Sequence, residues 1–188
     1  METLRGLVQD RLVTGEELAR MPGVGPCELI DGRIVPMSPT GGEHGRVEFN
    51  VGSTLDGFVR PRRLGRVLVG EVGIYTRRNP DRVRAADVLF ISTERVARWA
   101  DPSGYLDIAP DLVAEILSPD DRVIDLLEKL REYFAAGVRL VWVIDPRTRT
   151  VLAYRSVTEV REFREEDRIP GDDVLPEFEA PVAAFFAE

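Results

Sequence analysis

The spacing of hydrophobic residues changes period along the chain, and each change marks an element. Val47, Val51, Leu55, Phe58 and Val59 recur at helical spacing, which predicts a helix over 43–59 that stops ahead of Pro61. Two β-rich runs follow, 66–76 and 84–91, separated by the polar segment Arg77 to Val83; together they predict an antiparallel hairpin with a long turn. Residues 112–117 are almost continuously apolar and too few for an ordinary helix, so they read as a buried strand. Helical periodicity returns over 120–136 and ends at Gly137, a residue suited to the C′ position. A second buried strand, 139–145, turns through Pro146 to Arg149 into a hairpin partner at 150–154.

The flanks carry weaker signals. Thr14-Gly-Glu-Glu17 has the form of a capping box and predicts a short helix over 15–21, ahead of Pro22. Asp31-Gly32 lies between β-rich stretches at 27–30 and 33–37, a hairpin signal, and Pro36 puts the second strand at an edge or a strand end. Residues 93–100 suggest a short helix, those after 155 one or two weak strands, and Val182 to Phe186 a docked tail. The order helix, strand, strand, strand, helix, strand across 43–145 is an α/β arrangement, a mixed sheet with helices against it.

Composition narrows the class. At 188 residues with 44 % hydrophobic content the chain fits one α/β domain, 1–188, better than two. No apolar run nears the roughly 18 residues of a membrane span, and no basic-then-apolar leader opens the chain, so the expectation is a soluble, cytoplasmic protein with no membrane partner. A single cysteine, Cys27, excludes an internal disulfide and a cysteine-based zinc cluster. The net charge of −8 argues against a non-specific nucleic-acid coat, but arginines at 60, 62, 63 and 66, and again at 77, 78, 82 and 84, leave room for local recognition. Of 25 basic residues only Lys129 is lysine, and His44 is the one histidine.

Against this pattern a few charged residues stand out. By strand alternation Glu115 shares a face with Val113 and Leu117, where a carboxylate needs a cation, hydrogen bonds or a raised pKa. A metal ion or a buried arginine would each serve. Asp87 likewise falls on the face of Leu89 and Ile91, unless it is a strand-end acid that reaches solvent or caps a turn. Carboxylates on neighbouring strands lie about 5 Å apart sideways, close enough to share one hard cation such as Mg²⁺. Asp125, Lys129 and Tyr133 form a stripe on the helix predicted over 120–136, which either points at the strand ends or carries an ordinary surface Asp–Lys pair. That helix would pack through Ile124, Leu127, Leu130 and Phe134. Ser118, ahead of Pro119 and Asp121, has the form of its N-cap. His44 and Glu48 share a face of the 43–59 helix, where the histidine also has an ordinary structural use.

Asp87, Glu115 within Val113-Ala-Glu-Ile-Leu-Ser-Pro119, Asp125, Lys129, Tyr133, Gly137-Val138 and Trp142-Val-Ile-Asp145-Pro146 together resemble the bacterial family described as putative restriction endonucleases, within the PD-(D/E)XK nuclease superfamily. Glu28 to Gly32, Met37, Pro39 and His44 resemble its N-terminal part, so the likeness spans roughly residues 25–155. It implies a restriction endonuclease-like αβββαβ core, flanked by an N-terminal helix and linker over 1–24 and an extension over 156–188. It also implies phosphodiester hydrolysis with Mg²⁺ or Mn²⁺, on DNA. Asp87 and Glu115 would hold the metal and Lys129 would be the catalytic cation, with Glu28, His44, Glu48, Asp125 and Tyr133 in support; a homodimer would cut both strands. Two positions depart from the superfamily pattern: Ala86 stands where proline is usual, and Leu117 where the motif has lysine. The resemblance implies that the lysine comes from the following helix, where Lys129 is the sole candidate. Two other readings remain: a binding module of the same fold with weakened catalysis, and a metal-free hydrolase using Asp87 and Glu115 as acid and base.

Overall fold

The structure, a computed structural model, describes residues 11–119 and 121–188. The first ten residues of the expected domain, and Asp120 at the expected start of the second long helix, lie outside the described residues. In chain order the elements are α1 (Gly15–Ala19), β1 (Cys27–Ile30), β2 (Arg33–Pro36), α2 (Gly42–Arg62), β3 (Gly65–Arg77), β4 (Arg82–Ser92), α3 (Thr93–Val96) and β5 (Leu112–Ile116). Then come α4 (Val123–Ala136), β6 (Leu140–Asp145), β7 (Thr150–Ser156), β8 (Glu159–Phe163), β9 (Arg168–Gly171), β10 (Leu175–Pro181) and a closing 3-10 turn, Val182–Phe186.

A mixed sheet runs β2–β1–β4–β5–β6–β7–β8, with β3 on the remaining edge of β4; β9 and β10 pair separately. Among the described strands only β5 and β6 pair in parallel, joined by α4 as such a crossover requires. The stretch α2-β3-β4-β5-α4-β6 is thus the expected αβββαβ core, with the short α3 inserted after β4. Alternation splits the side chains between two cores. Val88, Phe90, Ala114, Ile116 and Trp142 face the Val47, Val51, Leu55 and Val59 stripe of α2, while Leu89, Ile91, Val113, Val141 and Val143 face Leu130 and Tyr133 of α4.

The two edges of β4 are covered unequally. β3 accompanies β4 from Gly65 opposite Ser92 to Arg77 opposite Arg82. The other edge is divided: β1 meets it at Val83, and β5 meets it at Val88 to Phe90. Residues 84–87 fall between them: among the described residues Arg84, Ala85 and Ala86 pair with β3 alone, and Asp87 lies opposite the register break of β3.

Several boundaries differ from the sequence expectation. The helix over 43–59 runs on through Pro61, closing where Arg63 turns left-handed. Ser118 is not the cap of α4. Its N–H donates to Asp121 Oδ2 at 2.8 Å and its carbonyl accepts from the Asp121 N–H, closing a separate turn, after which Arg122 is extended and caps the helix one turn later. Ile124 consequently falls outside the packed stripe, 55 % exposed, and Leu126 packs with Leu127, Leu130 and Phe134 instead. Beyond 155 there are three strands, and the terminal turn docks on α2, where Asn50 Nδ2 donates to the Phe185 carbonyl at 3.1 Å.

Leu130 is wholly buried at the centre of the α4 contact. Leu130→Ala should cost about 2–5 kcal/mol in urea unfolding; a loss below about 1 kcal/mol would mean that α4 is not anchored as described.

Candidate functional site

In an antiparallel ladder the N–H and C=O of one residue point to the same side, and buried backbone groups must find partners. At Ala85 they point away from β3 to the uncovered edge, and side chains complete them. The Ala85 N–H donates to Glu28 Oε1 at 3.1 Å, and its carbonyl accepts from Lys129 Nζ at 3.1 Å. Two residues on, Asp87 Oδ2 accepts the Ile116 N–H at 2.7 Å, so a carboxylate extends the join between β4 and β5 where their main-chain ladder has ended.

Glu115 lies across this gap on β5, and both of its oxygens are engaged from α4. Lys129 Nζ donates to Oε2 at 2.8 Å, and the Tyr133 hydroxyl donates to Oε1. Lys129 also lies 3.4 Å from Glu28 Oε1. Burial pushes the Glu115 carboxyl up to about 7, against the pull of the Lys129 ammonium and with the help of Asp87. Burial alone would lower the Lys129 ammonium, but Glu115, Glu28 and Asp87 around it hold it above its ordinary range. Burial, with Glu115 beside it, also keeps the Tyr133 hydroxyl protonated far above its usual value.

From α2, His44 Nε2 stands 3.4 Å from Asp87 Oδ2, while its Nδ1 is buried without a hydrogen-bond partner among the described residues. The bond to Asp87 raises the imidazole pKa, burial opposes it, and Glu48 and the Ile116 main chain add to the rise. Glu48 itself turns aside and accepts the Gly70 N–H at 2.6 Å. Asp125 makes no hydrogen bond or ion pair with Lys129 among the described residues; its exposed carboxylate lines a small cavity with Lys129 and stands 4.0 Å from the Arg122 guanidinium. Leu117 packs against the apolar cluster under α4 and carries no charge, so the ammonium beside Glu115 is that of Lys129. Around these residues is a cleft of about 440 Å³, lined by His44, Asp87, Glu115 and Lys129 and walled by the 37–41 loop and Ser118–Pro119.

The sequence pattern of the Uma2 family, described as "Putative restriction endonuclease", matches residues 16–183. The chain belongs to this family. Its structure is similar to that of a putative nuclease from Anabaena variabilis, with a TM-score of 0.76, 24 % identity, and coverage of 93 % of this chain and 97 % of that one. At that identity the likeness speaks for the fold. No curated protein matches the chain.

Three features of this Uma2 protein's site are not legible in its sequence. Glu71 lines the cleft because β3 breaks register between Val69 and Val72 and the residue turns left-handed, which the alternation of β3 does not reveal. The arginines at 77–84 are not open basic ground. Arg77 pairs with Asp31, Arg78 with Glu16, Arg82 with Asp31, Glu128 and Glu132, and Arg84 with Glu28 and Glu132. Arg122 belongs to no motif in the sequence, yet it lines a smaller cavity of about 120 Å³ with Glu115 and Lys129 and its side chain is 74 % exposed.

Because the folded pKa of Glu115 lies above its unfolded value of 4.5, the stability tied to its proton is present at low pH and lost as pH rises through about 7. In metal-free buffer, urea unfolding of the native chain should therefore weaken relative to Glu115→Gln by up to about 1.4 kcal/mol per unit between roughly pH 5 and 7. A difference that is flat with pH would contradict the buried carboxyl.

Proposed function

We propose that this Uma2 protein is a divalent-metal-dependent endonuclease acting on DNA, working in the cytoplasm as a homodimer because two sites are needed to cut both strands. The observation that carries the reading is the convergence of Asp87, Glu115 and Lys129 in one cleft, drawn from two strands and a helix. Among the described residues no three of His, Cys, Asp and Glu come close enough to hold an ion unaided. The donor set instead fits an ion held by two carboxylates and completed by water, as Mg²⁺ commonly is. Asp87 and Glu115 would hold it, with the Ile116 main chain beside them. Such an ion, when bound, polarises the scissile phosphate and eases deprotonation of water.

The chain's own residues supply the rest. Lys129, kept charged by its acidic surroundings, offers an N–H and a positive charge to a phosphate oxygen whose negative charge grows in the transition state. Tyr133 keeps Glu115 oriented by donating to one oxygen, leaving that oxygen a further lone pair. His44 and the Ile116 N–H fix Asp87. Arg122, exposed beside Glu115 and Lys129, is suited to the phosphate of a neighbouring nucleotide, which offsets the acidity of the chain where a strand would cross.

A plasmid-nicking assay tests this directly. Cleavage should require Mg²⁺ or Mn²⁺ and stop with EDTA, Glu115→Ala should abolish it, and Lys129→Ala should slow it about 100- to 1,000-fold. Cleavage that survives both substitutions, or ignores EDTA, overturns the mechanism; DNA binding without cleavage under either ion would make the protein a recognition module. Calorimetric titration with Mn²⁺ should show a site that disappears in Glu115→Ala and weakens as pH falls below about 7, where the carboxyl takes up its proton. Unchanged affinity at lower pH would exclude Glu115 as a ligand.

A further inference from the structure

An ammonium has three N–H groups, and three acceptors surround that of Lys129: Glu115 Oε2 at 2.8 Å, the Ala85 carbonyl at 3.1 Å and Glu28 Oε1 at 3.4 Å. Two of the N–H groups are committed to hydrogen bonds and the third only faces Glu28, so it is the one that can turn to a phosphate. The contact to Glu28 is the longest, beyond the usual limit of about 3.2 Å for an N–H···O bond. Glu28 does not depend on it. Its Oε1 already accepts the Ala85 N–H, and its Oε2 accepts Arg84 Nη1 at 2.8 Å.

Arg84 is buried, and its guanidinium is gripped from the other side by Glu132. Nε donates to Glu132 Oε2 at 2.8 Å and Nη2 donates to Oε1 at 2.6 Å, the two-pronged geometry that fixes a planar fork in orientation. Glu132 lies three residues beyond Lys129 on α4, and Thr76 of β3 donates to it as well. One side chain therefore ties the carboxylate behind the ammonium to the helical turn that carries the ammonium.

We propose that Arg84 is a positioning residue for Lys129, acting through Glu28: clamped between Glu132 and Glu28, it holds a fixed carboxylate behind the ammonium, from which Lys129 turns to a phosphate oxygen. The proposal rests on Lys129 being the cation of the reaction. Its neighbour Arg82 makes the contrast. It too binds Glu132, with Glu128 and Asp31, but it does not reach Glu28. A role confined to stability would be shared by both arginines, whereas the positioning role belongs to Arg84.

Because Lys129 is the only lysine in the chain, labelling with ¹⁵N-lysine gives a single side-chain ammonium signal. In Arg84→Gln that signal should shift and lose its protection from exchange with water, while in Arg82→Gln it should stay as in the native chain. In Mg²⁺-dependent nicking, Arg84→Gln should lower kcat about 10- to 100-fold with KM for DNA unchanged, the scale of loss seen when support behind a metal site is removed. A folded Arg84→Gln protein whose lysine signal matches the native one overturns the proposal, as does an equal change in Arg82→Gln. Should Arg84→Gln fail to fold by circular dichroism, Glu28→Gln, which keeps an acceptor for the Ala85 N–H, takes its place with the same two outcomes. The lysine signal does not depend on catalysis. A coupled lysine in a protein that cuts no DNA would count against the nuclease reading and for the clamp.

Discussion

Everything distinctive about this site arises from four residues of β4 that lack a strand partner on one side. β1 and β5 both approach that edge and neither covers residues 84–87. The peptide groups there are buried, and an unpaired buried peptide group is expensive, so polar side chains must reach in. Glu28 supplies an acceptor for the Ala85 N–H and Lys129 a donor for its carbonyl. A carboxylate and an ammonium are thereby drawn to the same place by backbone requirements alone. Glu115, on the neighbouring strand, then bonds that ammonium, and Asp87 adds its charge nearby.

Charge balance decides which side chain fills the gap. Asp87, Glu115 and Glu28 all raise the Lys129 ammonium, and removing one member of such a buried set leaves the others uncompensated. Three acceptors converge on one point about Nζ, which suits a compact ammonium; the planar fork of arginine spreads its donors and is used instead at Arg84, which bridges two separated carboxylates. In a chain with 24 arginines and one lysine, each cation stands where its shape fits. The arginines next along β3 and β4 are spent on acids of α1, the β1–β2 turn and α4, which fits a net charge of −8.

Where periodicity is strong, the elements can be read from sequence: the α2 stripe, the β3–β4 hairpin, and the apolar strands β5 and β6 each state their period plainly. The anomaly of a carboxylate in an apolar strand points to Glu115, and the single lysine to Lys129. What stays hidden depends on register and on longer-range contact. Glu71 reaches the cleft through a bulge, and the Ser118–Asp121 turn imitates a helix cap while the helix starts later. Asp125 satisfies the helical spacing from Lys129 but lies on the turn that has already left the packed face. The clamp of Arg84 joins β1, β4 and α4, three segments whose proximity no local pattern encodes.

Leu117 gives the arrangement its consequence. In the superfamily pattern that the sequence resembles, acid and lysine sit two residues apart on one strand, so the strand's own geometry fixes their distance. Here the position two after Glu115 is part of the apolar cluster beneath α4, and the ammonium that pairs with Glu115 comes from the helix packed against it. Its distance to Glu115 is therefore set by how α4 docks, through Leu130, Tyr133 and the Arg84–Glu132 pair, and not by the strand alone. Packing and charge placement become one property. A change that shifts α4 by a fraction of its turn moves the ammonium relative to both carboxylates, whereas in the strand-borne arrangement the same shift would leave acid and lysine together. The buried hydroxyl of Tyr133 on Glu115, one turn from Lys129 on the same helix, is the contact that holds helix and strand to a common reference.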